Sequence, residues 1–203
     1  MPLDHLAAPV PASLLRSVLA EGTNIAVWRR PLPDGLAPCL APLMAHGPFV
    51  ASAEAAPAAA LAALAARLPA PLLAALHADI LALAAGFTVL TGDEVLRIRL
   101  EALRGRGCHR WHADAVGLRL LCTYRGPGTE WLDLAGGAAK ARRLEPSSIV
   151  PQRLGAGDVA VLKGERWPGN AGNGCIHRSP PNGEDAPLRL VLCLDEAGRI
   201  PLE

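Results

Sequence analysis

The stretch Cys108-His-Arg-Trp-His-Ala-Asp-Ala-Val-Gly-Leu-Arg-Leu-Leu-Cys-Thr-Tyr124 decides the reading of the fold. It sets a His-x-Asp pair, His112 and Asp114, just ahead of an apolar run that opens after Gly117. Runs this short, bounded by glycine, read as strands. The same texture holds from Val95 onward, where Gly, Pro, Asn and Asp punctuate the chain. Candidate strands are Val95–Leu100, His109–Asp114, Leu118–Tyr124, Glu130–Leu134, Ile149–Leu154, Asp158–Lys163, Gly174–His177 and Leu188–Leu194. Short strands with no helix between them imply an antiparallel sandwich or jelly roll, not a parallel sheet.

Upstream the pattern is helical. Pro11, Ser13 and the apolar set Leu14, Leu15, Val18 and Leu19, ending near Gly22, predict a capped helix, and Ile25–Trp28 a short strand. Residues Pro31–Pro48 carry five prolines without a clear period and read as an extended surface loop. Pro57–Leu68 and Pro71–Ala85 repeat Leu and Ala at helical spacing, with Leu72, Leu76, Ile80 and Leu83 on one face, which predicts a helical hairpin. His77 on its second helix has no partner pattern and reads as structural. The fold class is therefore α+β: a mainly helical region over 1–94 packed on a jelly roll over 95–203, forming one globular unit.

The chain has 203 residues, enough for one domain with a substantial core. Its formal charge of +1 supplies no field to draw nucleic acid or anionic lipid. The first fifteen residues lack a basic cluster and carry Asp4 and His5, so no secretory signal is read and the expected compartment is the cytoplasm. Arg67, His77 and Asp79 break the Ala/Leu-rich segments short of a membrane span. Five scattered cysteines, Cys39, Cys108, Cys122, Cys175 and Cys193, suggest no disulfide framework.

The chemistry concentrates in two segments. Residues two apart on a strand share a face, so His112 and Asp114 can hold one metal ion. The segment Gly174-Cys-Ile-His-Arg-Ser-Pro-Pro181 brings a third candidate, His177, into a proline-stopped turn. Two imidazoles and one carboxylate leave open positions on an octahedral ion, the arrangement of non-haem Fe(II) oxygenases. Arg189, on the last apolar strand, can pair bidentately with a carboxylate entering the barrel.

The order His-x-Asp, Thr123 and Tyr124 with a Gly-rich turn, Gly157-Asp-Val159, His177 and Arg189 resembles the 2-oxoglutarate and Fe(II) dependent dioxygenase superfamily over about half the chain. At closer range, Arg119-Leu-Leu-Cys-Thr-Tyr-Arg-Gly-Pro-Gly-Thr-Glu-Trp-Leu132 and His177-Arg-Ser-Pro-Pro181 resemble an uncharacterised bacterial family, domain of unknown function 1826. The superfamily resemblance implies a double-stranded β-helix. It makes His112, Asp114 and His177 the Fe(II) ligands and Arg189 the anchor for the far carboxylate of 2-oxoglutarate, with Tyr124 adding a phenolic hydrogen bond. The implied reaction is hydroxylation of a substrate that the sequence does not identify, a small molecule or another class. Val191 departs from the Ser or Thr that many members carry two positions after the arginine.

A competing set replaces iron by zinc. Strand alternation puts Cys108 on the face of His112 and Cys175 on that of His177, giving a conceivable Cys2His2 site with Asp114 orienting an imidazole. Against it, residues four apart on a strand are separated by about 13 Å. A barrel without catalysis, serving as a binding module, is the third reading. Lys163 is expected to be solvated, Trp111 and Trp131 to pack in the core, and Arg119 and Arg125 to pair at the surface with Glu130 or Asp133. Ser179 has no nucleophile elbow around it, and Gly169–Gly174 has no phosphate-loop pattern.

Overall fold

Buried amide groups must be paired, so the apolar runs find one another as strands. Six of them form an antiparallel sheet in the order β1 (Ile25–Trp28), β7 (Val159–Lys163), β4 (Leu118–Arg125), β9 (Arg189–Glu196), β3 (Leu96–Leu103) and β2 (Phe49–Ala55). Three more, β6 (Gln152–Arg153), β5 (Glu130–Leu132) and β8 (Ile176–Arg178), make a small second sheet. The architecture is mixed helix and antiparallel sheet. The structure, a computed structural model, describes residues 11–105, 107–145, 149–181, 183 and 185–198. The reading of the chain start around Asp4 and His5 lies outside them.

Strand alternation sorts the large sheet into two faces. One face carries Leu96, Ile98 and Leu100 of β3, Leu118, Leu120, Cys122 and Tyr124 of β4, and Leu190, Leu192 and Leu194 of β9, all in the main core. Helices α3 (Pro57–Ala65) and α4 (Ala74–Thr91) cover that face, burying Leu61, Leu64, Leu76, Ile80 and Leu83. Each such side chain contributes about 1.5–3 kcal/mol by leaving water. On the opposite face Leu121, Ala160, Leu162 and Cys193 pack with Leu154, Cys175 and Trp131 from the side of the small sheet. With both faces covered, β4 is buried from Leu118 through Tyr124 and reads as a nearly continuous apolar run.

Several expectations are corrected here. The proline-rich segment holds a helix, α2 (Leu36–Ala45), whose Leu36, Leu40 and Leu43 are buried at helical spacing. Pro38 falls in the first turn, where no N–H is needed, and Pro42 removes only the donor to the carbonyl of Pro38. The edge strand β2 was not expected either, nor was the short helix α5 (Gly137–Ala141). The helix expected over Pro71–Ala85 starts later, at Ala74, and runs through Gly86 to Thr91. It stops at Gly92, whose φ of 79° places it in the left-handed region.

Among the described residues α4 is the one helix long and apolar enough to cross a membrane, so the expectation of a shorter segment fails. Its Leu76, Asp79, Ile80, Leu83, Ala84 and Phe87 are buried in this fold. At the start of the chain α1 (Ala12–Arg16) runs into a 3-10 turn at Ser17–Leu19.

Candidate metal centre

The His-x-Asp segment is not a strand. His112 forms a single isolated bridge with His177, each donating its N–H to the other's carbonyl at 3.0 and 2.9 Å. Alternation therefore does not align His112 with Asp114, as the sequence suggested. Stitching to the neighbouring segments does: Ser179 donates to the carbonyl of Cys108, Glu165 to that of Asp114 and Arg166 to that of Val116. Gly164 permits this approach. A Cβ there would collide with the Val116 carbonyl oxygen and lie 2.8 Å from that of Asp114.

The result is a convergent triad. One ligand-type atom from each of His112, Asp114 and His177 falls within 4.8 Å of the others, and it is the metal-type cluster found among the described residues. His177 Nε2 lies 3.2 Å from Asp114 Oδ2, and His112 Nε2 lies 3.7 Å from Asp114 Oδ1. The two rings are 4.4 Å apart between centroids. Each ring's Nδ1 faces a backbone carbonyl, that of Arg110 at 2.8 Å for His112 and that of Cys175 at 3.1 Å for His177. A proton on each Nδ1 satisfies those carbonyls and leaves both Nε2 lone pairs aimed at the carboxylate.

The charge states suit a cation. Burial, and then the neighbouring His177, lower the pKa of His112, which favours its neutral, ligating form. Burial would raise the Asp114 carboxyl, but His177, Arg119 and His112 outweigh it and hold the group well below the usual carboxylate range. Arg119 also fixes its orientation. The guanidinium grips Asp195 through Nε at 2.6 Å and Nη2 at 3.1 Å, and its Nη1 sits 2.8 Å from Asp114 Oδ2. That oxygen is buried and accepts no well-angled hydrogen bond. The donor set of two imidazoles and one carboxylate fits a divalent ion with oxygen- and nitrogen-loving chemistry.

The triad borders a cavity lined by His112, His177, Arg99, Glu101, Arg119 and Arg189, among others. Arg189 is 2% exposed, donates its Nε to the Pro127 carbonyl at 2.7 Å, and has no ion-pair partner among the described residues. Burial lowers its pKa, offset in part by Glu101. Gly126, with φ of 83°, makes room for it, since a Cβ would stand 2.8 Å from Arg189 Cγ.

Tyr124 is elsewhere. It lies on the helix-covered face, and its hydroxyl donates to Asp79 Oδ2 of α4 at 2.8 Å, so it does not reach the cavity that Arg189 lines. The parity of β4 requires this: Arg119 and Leu121 face the cavity, so Tyr124 faces away.

The thiols do not join the imidazoles. Cys108 is exposed at the cavity, while Cys175 is buried in the core between the sheets. Burial, with Asp114 and Asp133 adding to it, pushes the Cys175 thiol up to about 12, which leaves it protonated and a poor ligand.

Arg119 was misplaced by the sequence reading. Arg119 was expected at the surface with Glu130 or Asp133; instead it is 9% exposed and bound to Asp195 and Asp114. Glu130 pairs with Arg178 and Arg153. The available signal was an arginine inside the apolar run Leu118–Cys122, at the parity opposite the core leucines. Lys163, expected in solvent, is buried with its Nζ donating to the carbonyl of Ala20 at 2.9 Å. Trp111 is buried against Leu132 and Ile176, with Arg178 over its ring at 4.1 Å.

Comparison with known proteins gives a family and a fold. The sequence profile of the family described as "Protein of unknown function (DUF1826)" matches residues 11–195. No curated protein matches the sequence. Among solved structures, a bsmA homolog from Methylobium petroleophilum PM1 shares 15% identity with a TM-score of 0.54, covering 97% of each chain. A dioxygenase for auxin oxidation from rice shares 18% at a TM-score of 0.48, covering 93% of this chain, which spans 64% of the rice protein. A Pseudomonas putida prolyl-4-hydroxylase shares 14% at 0.44, covering 92% of this chain and 99% of that one. At such identities the likeness is one of fold alone.

Proposed function

This chain belongs to the DUF1826 family, and on that footing we propose that it is a non-haem Fe(II), 2-oxoglutarate-dependent oxygenase acting on a small-molecule substrate in the cytoplasm. The observation that carries the reading is the pairing of two features in one cavity. One is a His-Asp-His triad with both Nδ1 atoms committed to carbonyls; the other is a buried arginine without an ion pair. An uncompensated buried guanidinium is costly to keep, so its retention beside a metal-type triad favours an anionic ligand between them. The two sheets are read as the halves of a double-stranded β-helix, with β8 and the His112 bridge carrying the triad.

The roles divide by residue. His112 and His177 would hold the ion through Nε2 and Asp114 through Oδ1, the oxygen Arg119 leaves free. Arg119 and Asp195 keep the carboxylate from rotating. Arg189 would receive the far carboxylate of the cosubstrate on its terminal nitrogens. Fe(II) and 2-oxoglutarate, held by these residues, would supply dioxygen activation coupled to oxidative decarboxylation, with net conversion of a C–H bond to C–OH and release of succinate and CO2. Leu121, Leu103 and Val191 give the same space apolar walls.

The test is anaerobic reconstitution of untagged protein with Fe(II), followed by titration with 2-oxoglutarate while the metal-to-ligand absorption band is recorded. One iron per chain and a saturable band are expected. His177→Ala should lose the iron while keeping the wild-type circular dichroism. Absence of a band in iron-loaded wild type would overturn the cosubstrate assignment, and iron content unchanged from wild type in both His112→Ala and His177→Ala would overturn the triad.

A further inference from the structure

Four arginines line the cavity, and they are not equally occupied. Arg119 is taken up by Asp195 and Asp114, and Arg178 by Glu130. Arg189 has only the Pro127 carbonyl on its Nε. Arg99 is only partly occupied: it lies against the Cys193 thiol, its Nε is buried without a hydrogen-bond partner, and its Nη1 stands 3.8 Å from Glu101 Oε2, beyond hydrogen-bond reach.

Register places these groups in order. The row nearest the triad is Arg119 opposite Asp195. Next comes Arg99 opposite Cys193, then Glu101 opposite Val191, and last Leu103 opposite Arg189. Successive rows are about 6.6 Å apart along the strands. The long side chain of Arg189 reaches back into the cavity that borders His112 and His177. A dicarboxylate lying between the triad and Arg189 therefore passes over Arg99 first and Glu101 second.

We propose that Arg99 is a second carboxylate anchor in this cavity, binding the end of the ligand nearest the triad, and that Glu101 is an internal competitor that the ligand displaces from between Arg99 and Arg189. This rests on the reading of 2-oxoglutarate as cosubstrate. In the ligand-free protein burial opposes both cations and Glu101 partly offsets it, after Cys193 at Arg99 and by itself at Arg189. A ligand carboxylate offers each guanidinium closer, charge-assisted hydrogen bonds than the 3.8 Å pair provides. The two residues then have opposite effects on the same equilibrium. Arg99 tightens dicarboxylate binding, and Glu101 weakens it.

Isothermal titration calorimetry of the anaerobic Fe(II)-loaded chain decides the matter, with 2-oxoglutarate and pyruvate as probes. Pyruvate keeps the 2-oxo acid end and lacks the far carboxylate. Arg99→Gln should weaken both probes by about tenfold or more, the loss expected for a charge-assisted hydrogen bond. Arg189→Gln should weaken 2-oxoglutarate and leave pyruvate nearly unchanged. Glu101→Gln should tighten 2-oxoglutarate, an improvement that damage to the fold does not produce. Arg99→Lys, which keeps the charge, should recover part of the affinity and serves if Arg99→Gln does not fold. Wild type that binds 2-oxoglutarate while Arg99→Gln and Arg99→Lys bind it equally well, or a Glu101→Gln protein that binds it less well, overturns this inference alone. Wild type that takes up iron and binds neither probe overturns the cosubstrate reading with it.

Discussion

The two faces of the six-stranded sheet both bury arginine, and they treat it differently. Beneath the helices, Arg30 meets Asp79 with two hydrogen bonds at 2.6 and 2.8 Å, Tyr124 adds a third to the same carboxylate, and Arg30 lies over the Trp28 ring at 4.7 Å. On the cavity face, Arg99 and Arg189 have no such partner. A buried cation with every donor answered joins elements together; one with donors unanswered is available to a ligand. The contrast separates the part of the molecule that holds the fold from the part that binds.

The largest effect should come from breaking the closed side. Asp79→Ala leaves Arg30 charged and buried without its carboxylate and the Tyr124 hydroxyl without an acceptor. Burial, the first cause of the raised Tyr124 pKa, persists in that variant, so the phenol does not substitute an anion. A loss of about 3–5 kcal/mol is expected in urea unfolding. Iron stoichiometry in the protein that remains folded should equal wild type, because Asp79 touches nothing in the cavity. A fall in iron content at unchanged stability would show that the two faces are not separable in this way.

Arg119 lies between the two classes, since it is fully paired and yet its partner is a triad residue. Arg119→Gln should lower metal affinity by about 10–100-fold, the usual cost of losing a group that orients a ligand. It should also reduce stability, because Asp195 is 1% exposed and loses its cation. Metal titration and urea unfolding on the same preparation read the two effects separately. Unchanged metal affinity would leave Arg119 a purely structural residue.

How much of this was legible in the sequence depends on whether a signal was local. His112, Asp114, His177 and Arg189 could be named because their spacing is itself a pattern, and the strands from β3 to β9 because glycines bound their apolar runs. The reason given for His112 and Asp114 sharing a face was nonetheless mistaken, since tertiary hydrogen bonds to His177, Glu165 and Ser179 align them and no strand does. Helix α2 was hidden by Pro38 and Pro42, whose positions cost the helix little. Tyr124 was assigned to the wrong face because the phase of β4 was not counted from Arg119. Arg99 and Glu101 carry no motif at all; only the register of β3 against β9 brings them beside the triad.

The smallest effect sharpens the distinction between cavity and packing. Cys175 sits two residues before His177, yet its side chain belongs to the layer with Leu121, Ala160, Leu162 and Cys193, and it serves the triad through its backbone carbonyl. Cys175→Ala removes the thiol and leaves that carbonyl in place. The expected cost is about 1 kcal/mol of stability, for the loss of a small buried group. Iron content and the absorption band with 2-oxoglutarate should both match wild type. Zinc bound in wild type and lost in Cys175→Ala would instead return the thiol to the ligand set, and with it the closed Cys/His site in which Asp114 only orients an imidazole.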